Sequence, residues 1–371
     1  MEILSPLTRA DEVDPLVDAG ATEFYAGVLT PEWRRTYTTL VSGNQQHTTW
    51  GNFLSLEDLS NAVERAHERK ATVHLTVNTA YYTQAQRELV GKVLDAGADM
   101  GIDGFIIADV PTMLRARQEH PDTTVHVSTL APCFNRSTLG FYAELGASRI
   151  VLPQQLTPDE ITALAQDAPL DIEVFVLNNR CLNVDGFCTF THGVEEATRT
   201  HDTGLGHALL HSRWALTAAR LLPRTVLQQV RRSSMFRPPP CTLEYTTEPL
   251  LVRGASIEGL AAARERMSSH FKGKTGIDCG ACVLRTLLRA GVRAVKIDGR
   301  TNDLTRKLMD VRFLAHLLEA AQDDTITDEE LYTRTRSDFR EQYSGTCTDI
   351  SCYYREFLPT TYGDGRRPVT R

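Results

Sequence analysis

A chain of 371 residues that is 42% hydrophobic can bury a large core, and this is not the composition of a disordered protein. Its formal charge of −7 argues against a surface devoted to the phosphate backbone of nucleic acid, which needs cationic charge, so a nucleic-acid partner is not expected. No basic leader with an apolar run, and no stretch of about 18 apolar residues, is present, so a cytoplasmic chain without a membrane span is expected.

Short apolar runs at 3–4, 23–26, 72–77, 104–108, 124–127 and 149–152 read as strands, and stretches with helical spacing of apolar residues separate them. Ser55 to Asp58 and Thr157 to Glu160 have capping-box spacing, the second with Pro158 at the first helical position. Helices following them are expected to bury Leu59, Val63 and Ala66, and then to lead into the run Val174, Phe175, Val176 and Leu177. The last strand is Ala294 to Ile297, and its helix presents Leu304, Leu308, Val311 and Leu314. Eight strands alternating with helices predict a parallel (β/α)8 barrel, with a doubly wound open sheet as the alternative.

Four segments are expected. Residues 1–188 hold the first seven strands, 189–240 form a helical insertion acting as a lid, 241–325 complete the barrel, and 326–371 form a C-terminal helix and tail. The insertion carries His192, His201, His207 and His211, which read as solvated or packing residues of the lid more readily than as metal ligands. Barrel sites lie beyond the C-terminal ends of the strands, so Asn78, Asp109, Ser128, Gln154, Asn178 and Arg180 are expected to face one mouth. Singly, each reads as a polar residue ending a strand.

Eight cysteines in a reducing compartment point to a metal or cluster rather than to disulfides. Cys181 and Cys188 leave six residues between them, too many for a zinc knuckle and enough for a loop that wraps a larger group. Cys279-Gly-Ala-Cys282 is a true CxxC, so zinc held by Cys181, Cys188, Cys279 and Cys282 is an alternative. Cys133 reads as a packing residue, and the tail pair Cys347 and Cys352 finds no partner in the sequence.

Glu173-x-Phe175, Cys181 after five residues, and then x4-Gly186-x-Cys188 resemble the signature of the peptidase U32, or collagenase-like peptidase, family. Further matching landmarks are Ile3 to Pro6, Asp18 to Gly27, Asn52-Phe53, Asp109, Ser128-Thr129 and Ala290 to Arg300. The chain has Asn178, Asn179 and Arg180 where the family usually has Gly, a small residue and an aliphatic. The compact size is similar to the cluster-bearing members of the ubiquinone pathway. That resemblance implies a [4Fe-4S] cluster on Cys181, Cys188, Cys241 and Cys279, with Cys282 as the alternative fourth ligand.

It further implies oxygen-independent hydroxylation of a small-molecule or lipid-like substrate, with oxygen drawn from a carboxylate donor such as prephenate. A homodimer, or a heterodimer with another family member, is a possible assembly. Asp109, Arg180 and Arg300 are the candidate catalytic residues, the arginines because their forks match carboxylates. His126 is a further acid-base candidate but lies inside a strand. The alternatives are a peptidase, as the family name suggests, although HExxH and GxSxG are absent, and a cluster- or zinc-stabilised scaffold subunit.

Overall fold

A computed structural model describes residues 1–37, 43–46, 49–178, 181, 184–187, 277–343, 347 and 351–354. Arg180, Cys188, Cys241 and the expected lid at 189–240 lie outside the described residues. Eight strands, β1 (Glu2–Pro6), β2 (Glu23–Ala26), β3 (Thr72–Val77), β4 (Gly104–Ile107), β5 (Thr124–Val127), β6 (Arg149–Val151), β7 (Asp171–Leu177) and β8 (Ala294–Ile297), pair in parallel and in sequence order. β8 returns to β1, so the sheet closes and the open-sheet alternative is excluded. Among the described residues no helix is long and apolar enough to cross a membrane.

Alternation along each strand sorts the side chains into two environments. One set, including Phe24, Val73, Leu75, Phe105, Val125, Ile150, Val174 and Val295, packs into the main core together with residues of the surrounding helices. The opposite set faces the barrel interior. There Leu4, Tyr25 and Ile106 form a small apolar cluster separate from the main core, and the other positions are largely charged. The two-sided burial explains why these strands read as continuous apolar runs.

Helix entry follows local chemistry. Ser55, Thr83 and Thr157 cap the helices Leu56–Glu68, Gln84–Asp99 and Pro158–Ala165, and the last two form complete capping boxes. Thr327 and Glu330 make the same reciprocal pair at the start of Asp328–Tyr343. The long helix Leu304–Gln322 departs from its sequence pattern. Val311 and Leu314 are buried as expected, but so are Lys307 and Asp310, whereas Leu304 and Leu308 are only partly covered. Lys307 is tolerated there because Nζ donates to Glu12 Oε2 and Thr8 Oγ1, each at 2.8 Å.

A charge network fills the lower barrel. Arg149 Nη2 donates to Glu23 Oε1 at 3.0 Å and its Nη1 reaches Glu173 Oε2 at 3.4 Å, while Lys296 Nζ donates to Glu173 Oε1 at 2.9 Å. Two carboxylates thus balance two cations. His126 stacks near His74, with ring centroids 4.4 Å apart. Burial, with the neighbouring His74, Arg149 and Lys296, pushes the pKa of His126 well below the ordinary imidazole value. It is therefore a neutral interior residue rather than a mouth acid or base.

Burial alone would raise the Glu23 pKa, but hydrogen bonds from His74 and Arg149 reverse this and hold it at about 2, against an ordinary 4.5. A folded value below the unfolded one means that the stabilisation is complete above the unfolded pKa and is lost as pH falls through the folded one. The contribution is on the order of 3 kcal/mol. In urea titrations across that acid range, Glu23→Gln is expected to flatten the decline of stability with pH. Parallel declines in native and variant chains would contradict the assignment.

Candidate active site at the barrel mouth

Within β2, at the top of the barrel interior, Tyr25 stands between two cations. Lys296 Nζ lies 4.5 Å from the centre of its ring on the interior side, and Arg300 Cζ lies 6.0 Å away toward the mouth. The Tyr25 hydroxyl donates to Ile297 O at 3.0 Å, and Asp298 Oδ1 is 3.5 Å away. Burial and the Asp298 charge raise the phenol pKa well above its ordinary value, so Tyr25 remains protonated. It can act as a rigid donor or a packing surface, but not as a phenolate.

Arg300 is fixed by neutral groups. Its Nη1 donates to Thr76 Oγ1 at 3.1 Å and reaches Asn44 Oδ1 at 3.4 Å, and its Nη2 donates to Asn44 O at 2.8 Å. Asn44 is itself tied to Asn52, which places part of the polar segment 44–50 over the mouth. Gly27 is required by this arrangement, since a Cβ there would lie 2.2 Å from Arg300 Nη1. Other buried cations here are matched to carboxylates, as Arg149, Lys296 and Lys307 show. Among the described residues no carboxylate lies within ion-pair distance of Arg300. A partly buried guanidinium held in this way is suited to an incoming oxyanion.

The other side of the mouth is the loop after β7. Cys181 N donates to Gln154 Oε1 at 2.6 Å, Gln154 N donates to Asp185 Oδ2 at 2.8 Å, and Asp185 N donates to Gln155 Oε1 at 3.2 Å. Burial raises the Asp185 carboxyl to about 6, with Gln154 and Cys181 opposing that rise. Gly186 turns with φ +81°, and a Cβ would lie 2.4 Å from Pro132, so both conformation and space demand glycine. The loop residues therefore serve to place Cys181. Asp185 was not singled out in the sequence because one acidic residue between two cysteines carries no pattern of its own.

The remaining predicted site residues divide. Asn78 Nδ2 donates to Ser128 Oγ at 3.3 Å, so these two meet as expected. Asp109 caps the helix Val110–Glu119, with Oδ2 accepting from Thr112 N at 3.0 Å and Thr112 Oγ1 at 2.6 Å. Asn178 differs from its expected place. A φ of +65° directs its amide toward the helix Leu304–Gln322, where Nδ2 donates to Asp310 Oδ2 at 2.7 Å and to Asp298 O at 3.0 Å. Cys279 also lies beyond β7, on a segment where Asn178 N donates to Asp278 O and Gly280 N to Val176 O.

A closed parallel barrel whose polar residues gather beyond its strand ends defines a TIM-barrel protein with a site in the usual place for that fold. The family profile of peptidase family U32 matches residues 8–354, and the chain belongs to that family. It is 30% identical over 181 residues to tRNA hydroxylation protein P2 of Bacillus subtilis (strain 168), covering 49% of this chain and 53% of that one. It is 23% identical over 314 residues to tRNA hydroxylation protein P of Escherichia coli (strain K12), covering 81% of this chain and 64% of that one. A 23S rRNA 5-hydroxycytidine synthase of Escherichia coli (strain K12) is 26% identical over 138 residues, 37% of this chain and 20% of its own.

The chain thus spans between about half and two thirds of the first two relatives. A solved U32 peptidase overlaps 58% of this chain and 83% of its own at 16% identity, with a TM-score of 0.39.

These relatives overturn the expectation that nucleic acid is an improbable partner. The error lay in using net charge. A sum of −7 over 371 residues says little about the local potential at one mouth.

Proposed function

We propose that the chain hydroxylates a nucleobase in RNA without molecular oxygen, at the mouth lined by Tyr25, Arg300, Gln154, Cys181 and Asp185. Support for RNA as the substrate comes from the relatives named for tRNA and rRNA hydroxylation. The observation that carries the site is Arg300, a guanidinium set over Tyr25 and held by Asn44 and Thr76, with no carboxylate partner among the described residues. It offers a two-pronged seat for an oxyanion, either an RNA phosphate or the carboxylate of an oxygen donor. Tyr25 and Thr76 keep the fork in one orientation, and the neighbouring polar groups set which face of a flipped-out base is presented.

Cys181 offers a soft donor atom suited to an iron–sulfur cluster at this mouth, with Cys188 and Cys241 as its expected companions. Such a cluster, when bound, would supply one-electron redox or Lewis-acid chemistry. The residues around it hold Cys181 in place through Gln154 and restrict water through the buried Asp185 turn.

The test is nucleoside mass spectrometry of total tRNA and rRNA from cells grown without oxygen, with the gene intact, deleted and restored. A nucleoside heavier by one oxygen atom should vanish on deletion and return on restoration. An unchanged set of RNA nucleosides would overturn the reading and return attention to small molecules or peptides.

A further inference from the structure

Four cysteines meet away from the mouth contacts of Arg300. Cys279 precedes, and Cys282 lies within, the short turn Ala281–Val283 that enters the helix Leu284–Arg289, and Cys347 and Cys352 follow the helix Asp328–Tyr343. All four line one pocket, whose wall on the C-terminal helix includes Thr335 and Phe339. The backbone is fastened at the same place. Cys279 N donates to Ser351 O at 2.9 Å, Tyr353 N donates to Cys279 O at 3.1 Å, and Cys279 and Cys352 form a parallel bridge. Ala281 N also points at Cys279 Sγ, 3.5 Å away, the kind of amide contact that steadies a bound thiolate.

Packing alone does not account for this set. A single buried cysteine is an ordinary core residue, but here thiols from segments 65 to 73 positions apart in the sequence converge on one space. The spacings are C-x2-C and C-x4-C, as in sites where two hairpin-like turns present four thiolates to a metal. Among the described residues no three of these sulfurs lie within 4.8 Å of one another. A single tetrahedral zinc ion needs about 3.8 Å between sulfurs, so zinc would draw the set inward, whereas an iron–sulfur cluster accepts a wider one.

We propose that Cys279, Cys282, Cys347 and Cys352 hold a thiophilic metal centre that fastens the C-terminal segment to the end of β7. Each thiol releases its proton to solvent as the metal enters, and no change of oxidation state is required. The assignment gives Cys279 to this quartet, and leaves Cys181, Cys188 and Cys241 at the mouth. It does not depend on which molecule the mouth hydroxylates.

The experiment is zinc, iron and sulfide analysis of the anaerobically purified full chain beside Cys282→Ser, Cys347→Ser and Cys188→Ser. The first two variants should each lose one whole centre, and the third should keep it. About one zinc per chain would identify a single ion, whereas iron with sulfide retained in Cys188→Ser would identify a cluster. Because a variant can misfold, the native chain is also alkylated with iodoacetamide before and after chelation, and its peptides are mapped. Cys279, Cys282, Cys347 and Cys352 should react at least about tenfold faster once metal is removed. Full metal content in Cys282→Ser and Cys347→Ser, or alkylation of the quartet indifferent to chelation, would overturn the proposal.

Discussion

Replacing Glu173 by Gln should destabilise the chain by about 3–5 kcal/mol, a large part of the stability of an ordinary domain. Glu173 is fully buried and sits between Lys296 Nζ at 2.9 Å and Arg149 Nη1 at 3.4 Å. Removing its charge leaves two buried cations facing the one remaining carboxylate, Glu23. The cost arises from that uncompensated charge more than from lost hydrogen bonds, since Gln retains an acceptor. Urea unfolding should show a lower midpoint at nearly unchanged slope. Adding Lys296→Met should recover part of the loss, because it removes the stranded charge along with its partner. A single-variant loss below about 1 kcal/mol would mean that the interior charges are solvated rather than mutually balanced.

At the mouth the large effect should be on turnover. Arg300→Ala is expected to lower formation of the hydroxylated product by about 100-fold, the range for losing a charged two-pronged contact. Arg300→Lys should recover only a fraction, because an ammonium keeps the charge but not the planar fork. RNA affinity and donor dependence distinguish the two possible oxyanions. Weaker RNA binding would place a phosphate on Arg300, and a higher KM for a carboxylate donor would place the donor there. Native turnover in a folded Arg300→Ala chain would remove Arg300 from the site.

The comparison of Asn178 with Val174 shows why one part of the molecule was legible and another was not. Val174 belongs to a run in which each apolar residue adds to the same strand signal, and the structure places it in β7. Asn178 ends that strand as a polar residue, and nothing local reveals that positive φ carries it to Asp310, 132 positions away. Lys307 and Asp310 obscured the face of their helix for a related reason. Their burial depends on partners supplied by other segments, Glu12 in one case and Asn178 in the other. For the tail cysteines the sequence held two thiols without visible companions, and only packing of the C-terminal helix brought Cys347 and Cys352 to Cys279 and Cys282.

By itself the sequence determined the eight strands, their helices with caps at Ser55 and Thr157, and membership of a family through the Glu173 to Cys188 signature. These are short-range properties, set by side-chain period, capping geometry and spacing within a few residues. Tertiary structure alone decided that Arg149 would meet Glu23 across 126 positions, that Arg300 would have no carboxylate partner among the described residues, and that four cysteines would share one pocket. The physical reason is closure of the barrel. Joining β8 to β1 converts distant positions into neighbours, and the energy of a charge or thiol depends on those neighbours rather than on its place in the chain.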